Sequence, residues 1–223
     1  MIPQQLTLVW LVYFSLGGFL ELMVRKGGWY KYLLMPTEMR CSDYSKHLWC
    51  SCRDLFILLP IAFFVTKSRI LLNEEESVFF YNNLLLNIPK VIASVCIGYF
   101  YRMLVHMAFH TRLLYKRFHR QHHVPLSKLN SFVCFNDSIA ENIIMEIIGV
   151  FILPAYLVPV PPDVLTLIWL YGVCTGLLDH SCLYISDKWW IHIDCRYHLE
   201  HHMLPNCNYA ELECLDRVAG TYR

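Results

Sequence analysis

Apolar residues fall in long blocks along this chain, and the blocks set the expected architecture. Residues 6–24 (LTLVWLVYFSLGGFLELMV) are apolar except for Glu21. A helix needs about 20 such residues to cross a bilayer. The block has no basic stretch ahead of it, so it reads as a retained membrane helix rather than a cleaved leader. A polar connection with six Lys/Arg follows over 25–54. Residues 55–65 (LFILLPIAFFV) are apolar but short, with Pro60 inside. They are either a kinked span that borrows flanking residues or a re-entrant segment. Residues 66–77 form a polar loop ending in Glu74-Glu75-Glu76, and 84–105 form the next span, with Pro89 near its start. Two more apolar runs, 143–160 and 164–178, are joined by Val158-Pro159-Val160-Pro161-Pro162-Asp163. Proline cannot continue a helix, so this joint is a tight hairpin tip. There is no internal repeat, no GxGxxG and no Walker A motif, hence no visible nucleotide site.

Composition agrees with the blocks. Apolar residues make up 56% and charged residues 17%, against a typical charged share of about 25%. The mean hydropathy is +0.37. A water-soluble domain of this length has too little interior to hide so much apolar surface, and disorder needs the opposite composition. With 19 Lys+Arg against 18 Asp+Glu, the net charge of +1 gives no electrostatic footprint for nucleic acid. The expected fold is all-α: one integral membrane domain over 1–223, with about four transmembrane helices. A histidine-rich helical cap is drawn from 106–128 and 179–223.

Of ten cysteines none forms a CxxC pair, and Cys50-Ser51-Cys52 is too tight for zinc-finger spacing. Cys96, Cys134, Cys174 and Cys182 lie in or beside apolar stretches and read as small buried thiols. Histidine is more informative. There are eleven, and only His47 stands alone, in the polar 25–54 connection; five lie between 106 and 123 and five between 180 and 202. Lys/Arg placement gives the orientation. Arg112, Lys116, Arg117, Arg120 and Lys128 put 111–128 on the cytosolic side. The proline tip is then lumenal, and the second histidine cluster returns to the cytosol.

Three boxes stand out: His106-Met-Ala-Phe-His110, His119-Arg-Gln-His122-His123 and His198-Leu-Glu-His201-His202. Residues three and four apart share a helix face, so each box can aim two or three imidazoles at one point. Neutral imidazole suits iron, zinc, copper and nickel. A catalytic zinc takes about three protein ligands, so eight box histidines, with His180 and with His192 as a further candidate, match two ions. At about 100° per residue, His106 and His119 would lie about 220° apart on one unbroken helix. The chain must therefore bend within 111–118, although no Gly or Pro marks the place. Asp179, Asp194, Glu200, Glu141 and Asp216 are candidate acceptors for the ligands' second ring nitrogens.

The run from His106 through His119-Arg-Gln-His122-His123 resembles the fatty acid hydroxylase/sterol desaturase superfamily. So do Asp179-His180-Ser181, Tyr197-His198-Leu-Glu-His201-His202, Asn208-Tyr209 and the ending Asp216-Arg217-Val-Ala-Gly220-Thr221-Tyr222-Arg223. The resemblance covers roughly residue 98 to the end. The chain departs from the pattern at Ser138-Ile139-Ala140-Glu141, where many members carry His-Pro before the Glu, and at Leu215, where a Trp is usual. The resemblance implies a non-haem di-iron oxygenase of the endoplasmic reticulum membrane that hydroxylates or desaturates a fatty acyl or sterol lipid. It implies His106, His110, His119, His122, His123, His198, His201 and His202 as ligands, with His180 as a ninth. It implies two iron ions (zinc as a possible substitute), O2, and electrons from an external donor such as cytochrome b5 with its reductase. Two rival readings stand beside it: a zinc hydrolase at the membrane, and a non-catalytic lipid-binding protein with a relic site. The completeness of all three boxes argues against the second.

Overall fold

The computed structural model describes residues 2–26, 44–71, 83–125, 128–158, 160–183 and 195–223. Those residues are helical throughout their regular structure, with no β-sheet among them. Helix α1 is Ile2–Lys26. Helix α2 runs over 44–71, from Tyr44–Arg53 through a wider turn at Asp54–Leu58 into Leu59–Leu71. Helix α3 is Leu84–Phe109, and a short helix α4 covers 112–119. Helices α5 (Ile139–Leu157) and α6 (Pro162–Asp179) form the hairpin expected around the prolines. Helices α7 (Arg196–Met203) and α8 (Glu213–Ala219) complete the cap.

Four helices are long and apolar enough to span a membrane: Gln4–Arg25, Tyr44–Thr66, Leu85–Phe109 and Ile139–Leu157, with Val164–Asp179 as a shorter apolar helix. The 55–65 run is thus the second half of a full-length span that borrows residues 44–54 ahead of it. The 25–54 connection is correspondingly shorter than expected, because 44–54 is already helical. Residues 27–43 and 72–77 lie outside the described residues; 66–71, expected as the start of a polar loop, instead continue α2.

One apolar core joins the spans. Val9, Tyr13, Leu20 and Val24 of α1 pack with Leu55, Leu59 and Phe63 of α2, Phe151 of α5 and Trp169, Val173 and Leu177 of α6. Leu8, Leu11, Phe19 and Leu22 of α1 are exposed, as lipid-facing positions of a span would be. Glu21, the one acid in the first block, is buried. It accepts from the Ser131 backbone N–H at 2.7 Å and from the Tyr44 hydroxyl, so its charge is satisfied inside the protein. His47 is also buried and takes a hydrogen bond from Asn130 Nδ2 at 2.7 Å. It belongs to the packing of α2, not to a solvated connection. Of the four cysteines read as buried, Cys182 is; Cys134 and Cys174 are half-buried and Cys96 is exposed on a spanning helix.

Helices α3 and α5 approach closely where two glycines meet. A Cβ on Gly98 would stand 3.0 Å from the carbonyl oxygen of Gly149. Small residues at such a crossing let two spans touch backbone to backbone. Gly98, Arg102, His106 and His110 follow at intervals of four along one face of α3, so this contact sets the height and rotation of the first histidine box. Gly98→Val is expected to lower thermal stability in detergent by about 2 kcal/mol, the cost of overpacking. Gly18→Ala, which meets nothing within 4 Å, should leave the melting temperature unchanged; equal melting of the two variants would refute the contact.

Candidate metal centre

The bend between the first two boxes falls at its earliest allowed place. Helix α3 ends at Phe109, and Thr111 is extended, with φ −66° and ψ 145°. The chain then restarts as α4, whose last residues form a wider, i→i+5 bonded turn at Tyr115–His119. His180 follows directly on α6, and the third box lies on α7.

All nine predicted histidines converge, in two adjacent groups. His106, His110, His119, His123 and His201 form one; His122, His180, His198 and His202 form the other. The rings of His123 and His202 stand 4.6 Å apart across the boundary. Each box aims two imidazoles at one point, as its spacing allows, and the second and third boxes send their remaining histidine to the other group. Their i and i+4 members share a group, and the i+3 member goes to the other. On α7 the reason is rotation, since i+3 lies about 60° to one side of i, while i+4 lies about 40° to the other. His192 and Asp194 lie outside the described residues.

Within each group the Nε2 atoms face one another. The separations are 3.0 Å for His106–His119 and for His119–His123, 3.2 Å for His106–His110 and 3.1 Å for His123–His201. In the second group they are 3.3 Å for His122–His180, 3.1 Å for His180–His198 and 3.0 Å for His198–His202. Nitrogens about 2.1 Å from a shared ion stand about 3.0 Å apart at a right angle and about 3.4 Å apart at the tetrahedral angle.

The other ring nitrogens decide what fills the gap. His106 Nδ1 lies 2.6 Å from the Tyr209 carbonyl oxygen, His180 Nδ1 2.7 Å from that of Gly176, and His201 Nδ1 2.7 Å from that of Cys207. A carbonyl only accepts, so each Nδ1 carries the proton. In the neutral ring the facing Nε2 is then a bare lone pair. His119 Nδ1 bonds Glu141 Oε1, and His122 Nδ1 lies 2.8 Å from Asp137 Oδ1. Burial is the main force that holds the rings neutral, pushing His110 and His180 down to about 3 and His122 and His201 to about 4. Converging lone pairs repel unless a cation lies between them. The residues therefore fit metal ions, one to each group.

A narrow chamber of about 70 Å³ lies against His106, His119, His122, His180 and His198, with Met145, Val150, Trp169 and Val173 as its apolar wall. Asp137, Glu141, Glu146, Asp179 and Glu211 line it against one guanidinium, Arg102, a formal charge of −4. Two divalent cations would balance that charge. Burial pushes Asp137 up to about 7, and a cation on His122 favours the ionised form that accepts the Nδ1 proton. A wider chamber of about 320 Å³ adjoins the first and shares Tyr99, Asp179, His198 and Glu211 with it.

The histidine-rich cap belongs to a matched family. A model of the fatty acid hydroxylase domain covers residues 91–221, more than half of the chain. The chain is a member of the fatty acid hydroxylase family. Neither the curated proteins nor the solved structures compared with it gave a match.

Among the carboxylates expected to support the histidines of this hydroxylase-family chain, Glu141 meets a ring directly. Asp216 acts at one remove. It accepts from the backbone N–H groups of Tyr209 (3.0 Å) and Ala210 (2.6 Å) and from the Tyr197 and Thr221 hydroxyls. It thereby fixes the Tyr209 carbonyl that holds His106. Glu200 bonds Asn208 at 3.4 Å instead, and Asp179 lines the chamber. Sequence reading missed Asp137. It follows a 3-10 turn at Ser131–Phe135, and Asn136 Nδ2 donates to the Gln121 carbonyl at 2.6 Å, tying that segment to the second box. Only the Asn-Asp pair itself was visible in advance, and nothing linked it to His122.

Asp137→Ala removes the acceptor of His122. Metal affinity of the four-histidine group should fall about 10–100-fold. Elemental analysis of the purified variant should then give closer to one ion per chain, with the five-histidine group still loaded. Unchanged metal content would remove Asp137 from the support of the site.

Proposed function

We infer that this chain is an O2-dependent membrane oxygenase that hydroxylates or desaturates a lipid, with one iron ion held by each histidine group. The observation that carries the reading is the pair of imidazole groups whose lone pairs converge beside a chamber with an apolar wall, at one end of a set of spanning helices. Oxidising an unactivated C–H bond lies beyond acid–base side chains; a reduced iron pair with O2 supplies that chemistry. His106, His110, His119, His123 and His201 would hold one ion, and His122, His180, His198 and His202 the other. Neither set fills six positions with protein nitrogen.

The chain's own residues orient and insulate. Glu141, Asp137 and the carbonyls of Tyr209, Gly176 and Cys207 fix the ring orientations and keep the protons on Nδ1. Met145, Val150, Trp169 and Val173 offer an apolar surface for the substrate chain and exclude water. Imidazole donors without carboxylate ligands set this centre apart from the carboxylate-rich di-iron bundles.

The electrons come from outside the chain. A recess of about 330 Å³ is lined by Lys46, Lys116, Arg117 and Arg120, with no acid in its lining. Such a surface favours an acidic partner, and a cytochrome b5-type donor with its reductase fits that chemistry. The same basic residues support a cytosolic cap in an endoplasmic reticulum membrane. Donor oxidation by the membrane-bound chain should slow as salt rises from 50 to about 300 mM; a salt-independent rate would refute docking at this recess.

Lipid profiling by mass spectrometry of cells with and without the chain tests the activity. A lipid heavier by one oxygen, or lighter by two hydrogens, is expected in cells that carry it. That product should be lost with His119→Ala or His198→Ala at equal abundance. Zinc alone in active protein, or hydrolysed lipid as the sole product, would favour a hydrolase. An unchanged lipidome would favour a relic site.

A further inference from the structure

We propose that the ion triad of Arg102, Glu146 and Glu211 recognises the polar end of the substrate, and that it selects a lipid ending in an uncharged hydroxyl. The proposal deepens the reading above, since it takes the chamber beside the histidines to be the substrate's place. Arg102 lies on α3, Glu146 on α5 and Glu211 on the segment between α7 and α8. One nitrogen of Arg102, Nη2, serves both acids, at 2.7 Å from Glu146 Oε1 and 2.9 Å from Glu211 Oε1. Arg102 Nε is buried and has no hydrogen-bond partner among the described residues.

The triad is thus incomplete in a specific way. It holds an unused donor, on a guanidinium, beside carboxylate oxygens with lone pairs to spare. A hydroxyl satisfies both sides at once, accepting from Nε–H and donating to a carboxylate. A carboxylate or phosphate would satisfy Nε but would face two acids. An ammonium would satisfy the acids but would face the guanidinium. Charge over the whole chamber leads to the same choice. Two divalent cations held by the histidines would balance its formal −4, and a charged substrate end would then unbalance a buried site.

Position fits as well. All three residues line the inner chamber, and Glu211 also lines the outer one. A lipid held there stands at the neck between the two, with apolar wall on the inner side. Helix geometry builds this arrangement into α5. Glu141 and Glu146 are five residues apart, about 140° on an ordinary helix. Glu141 lies in the ordinary turn Ile139–Asn142 and Glu146 in the stretch Ile143–Ile152, which is wound with i→i+5 bonding, so the rotation between them departs from that value. One acid can then serve His119 while the other serves Arg102.

The test is equilibrium binding to the metal-loaded full chain in lipid nanodiscs, without O2 so that no turnover intervenes. Two matched pairs of radiolabelled probes are compared: hexadecanol with hexadecanoate, and cholesterol with its hemisuccinate. In at least one pair the alcohol should bind at least tenfold more tightly than the acid, and the better pair identifies the apolar body. Glu211→Gln, which removes one negative charge from the neck, should shrink that ratio at least fivefold at unchanged metal content. Arg102→Lys keeps the charge but deletes the Nε donor, and should weaken alcohol binding about tenfold. Equal binding of alcohol and acid, no binding in either pair, or a ratio unmoved by Glu211→Gln would overturn the proposal. Alcohol selectivity without any oxidised product would sink the oxygenase reading and leave this one standing; an oxidised product from protein that shows no alcohol preference would do the reverse.

Discussion

The constraint on which this structure depends is the repulsion between imidazole lone pairs. Protonating the rings would relieve it, but burial makes charged imidazole too costly. Rotating them would relieve it, but five of the nine rings have Nδ1 committed, to the carbonyls of Tyr209, Gly176 and Cys207 and to the carboxylates of Asp137 and Glu141. A cation in each group would relieve it without either change. A net acidic chamber beside neutral rings is the complementary half of the same arrangement, because ligands without charge leave a divalent ion's charge to be balanced nearby.

Holding nine rings to this geometry requires elements that cannot slide. Three devices supply it. The Gly98–Gly149 contact locks α3 against α5 at backbone distance, two turns before His106. The wider turns at Tyr115–His119 and Ile143–Ile152 re-aim side chains that an ordinary helix would send elsewhere, as such turns often do at functional sites. Asp216 gathers the C-terminal segment, so that the carbonyl orienting His106 and the tyrosine preceding His198 are fixed by one carboxylate. The left-handed backbone at Asn208, φ 53°, lets the chain turn there, and asparagine adopts that conformation more readily than most residues.

The spans and the boxes were legible in the sequence because both are local signals. A block of some twenty apolar residues and an HxxHH spacing each carry their meaning within one or two helical lengths. The bend between the boxes was legible too, since 220° of rotation cannot be reconciled with a common site. What could not be read was held by distant parts of the chain. Asp137 reaches His122 because Asn136 Nδ2 donates to the Gln121 carbonyl and Arg53 Nη2 donates to the Asp137 carbonyl at 2.9 Å, which knits three segments together. The division of the second and third boxes between two groups joins histidines at α4, on α7 and at the end of α6, which lie far apart in the chain. His47 stood alone in a polar connection, yet Asn130, 83 residues away, ties it into the interior.

The same distinction explains why the metal centre and the recognition of substrate differ in legibility. Ligands of one ion must be close in space, and helices make closeness periodic, so ligand sets leave patterns in sequence. The two ends of a lipid are recognised by residues that need not be close to one another or to the metals. Arg102, Glu146 and Glu211 come from three elements and form no motif. Within a membrane segment, though, an ionised residue is costly enough to need a reason, and Arg102 sits one turn before the first ligand, on the ligand's own face. An intramembrane charge aligned with a metal box is therefore a sequence signal in its own right: it marks where the chamber beside the metals must have a polar wall.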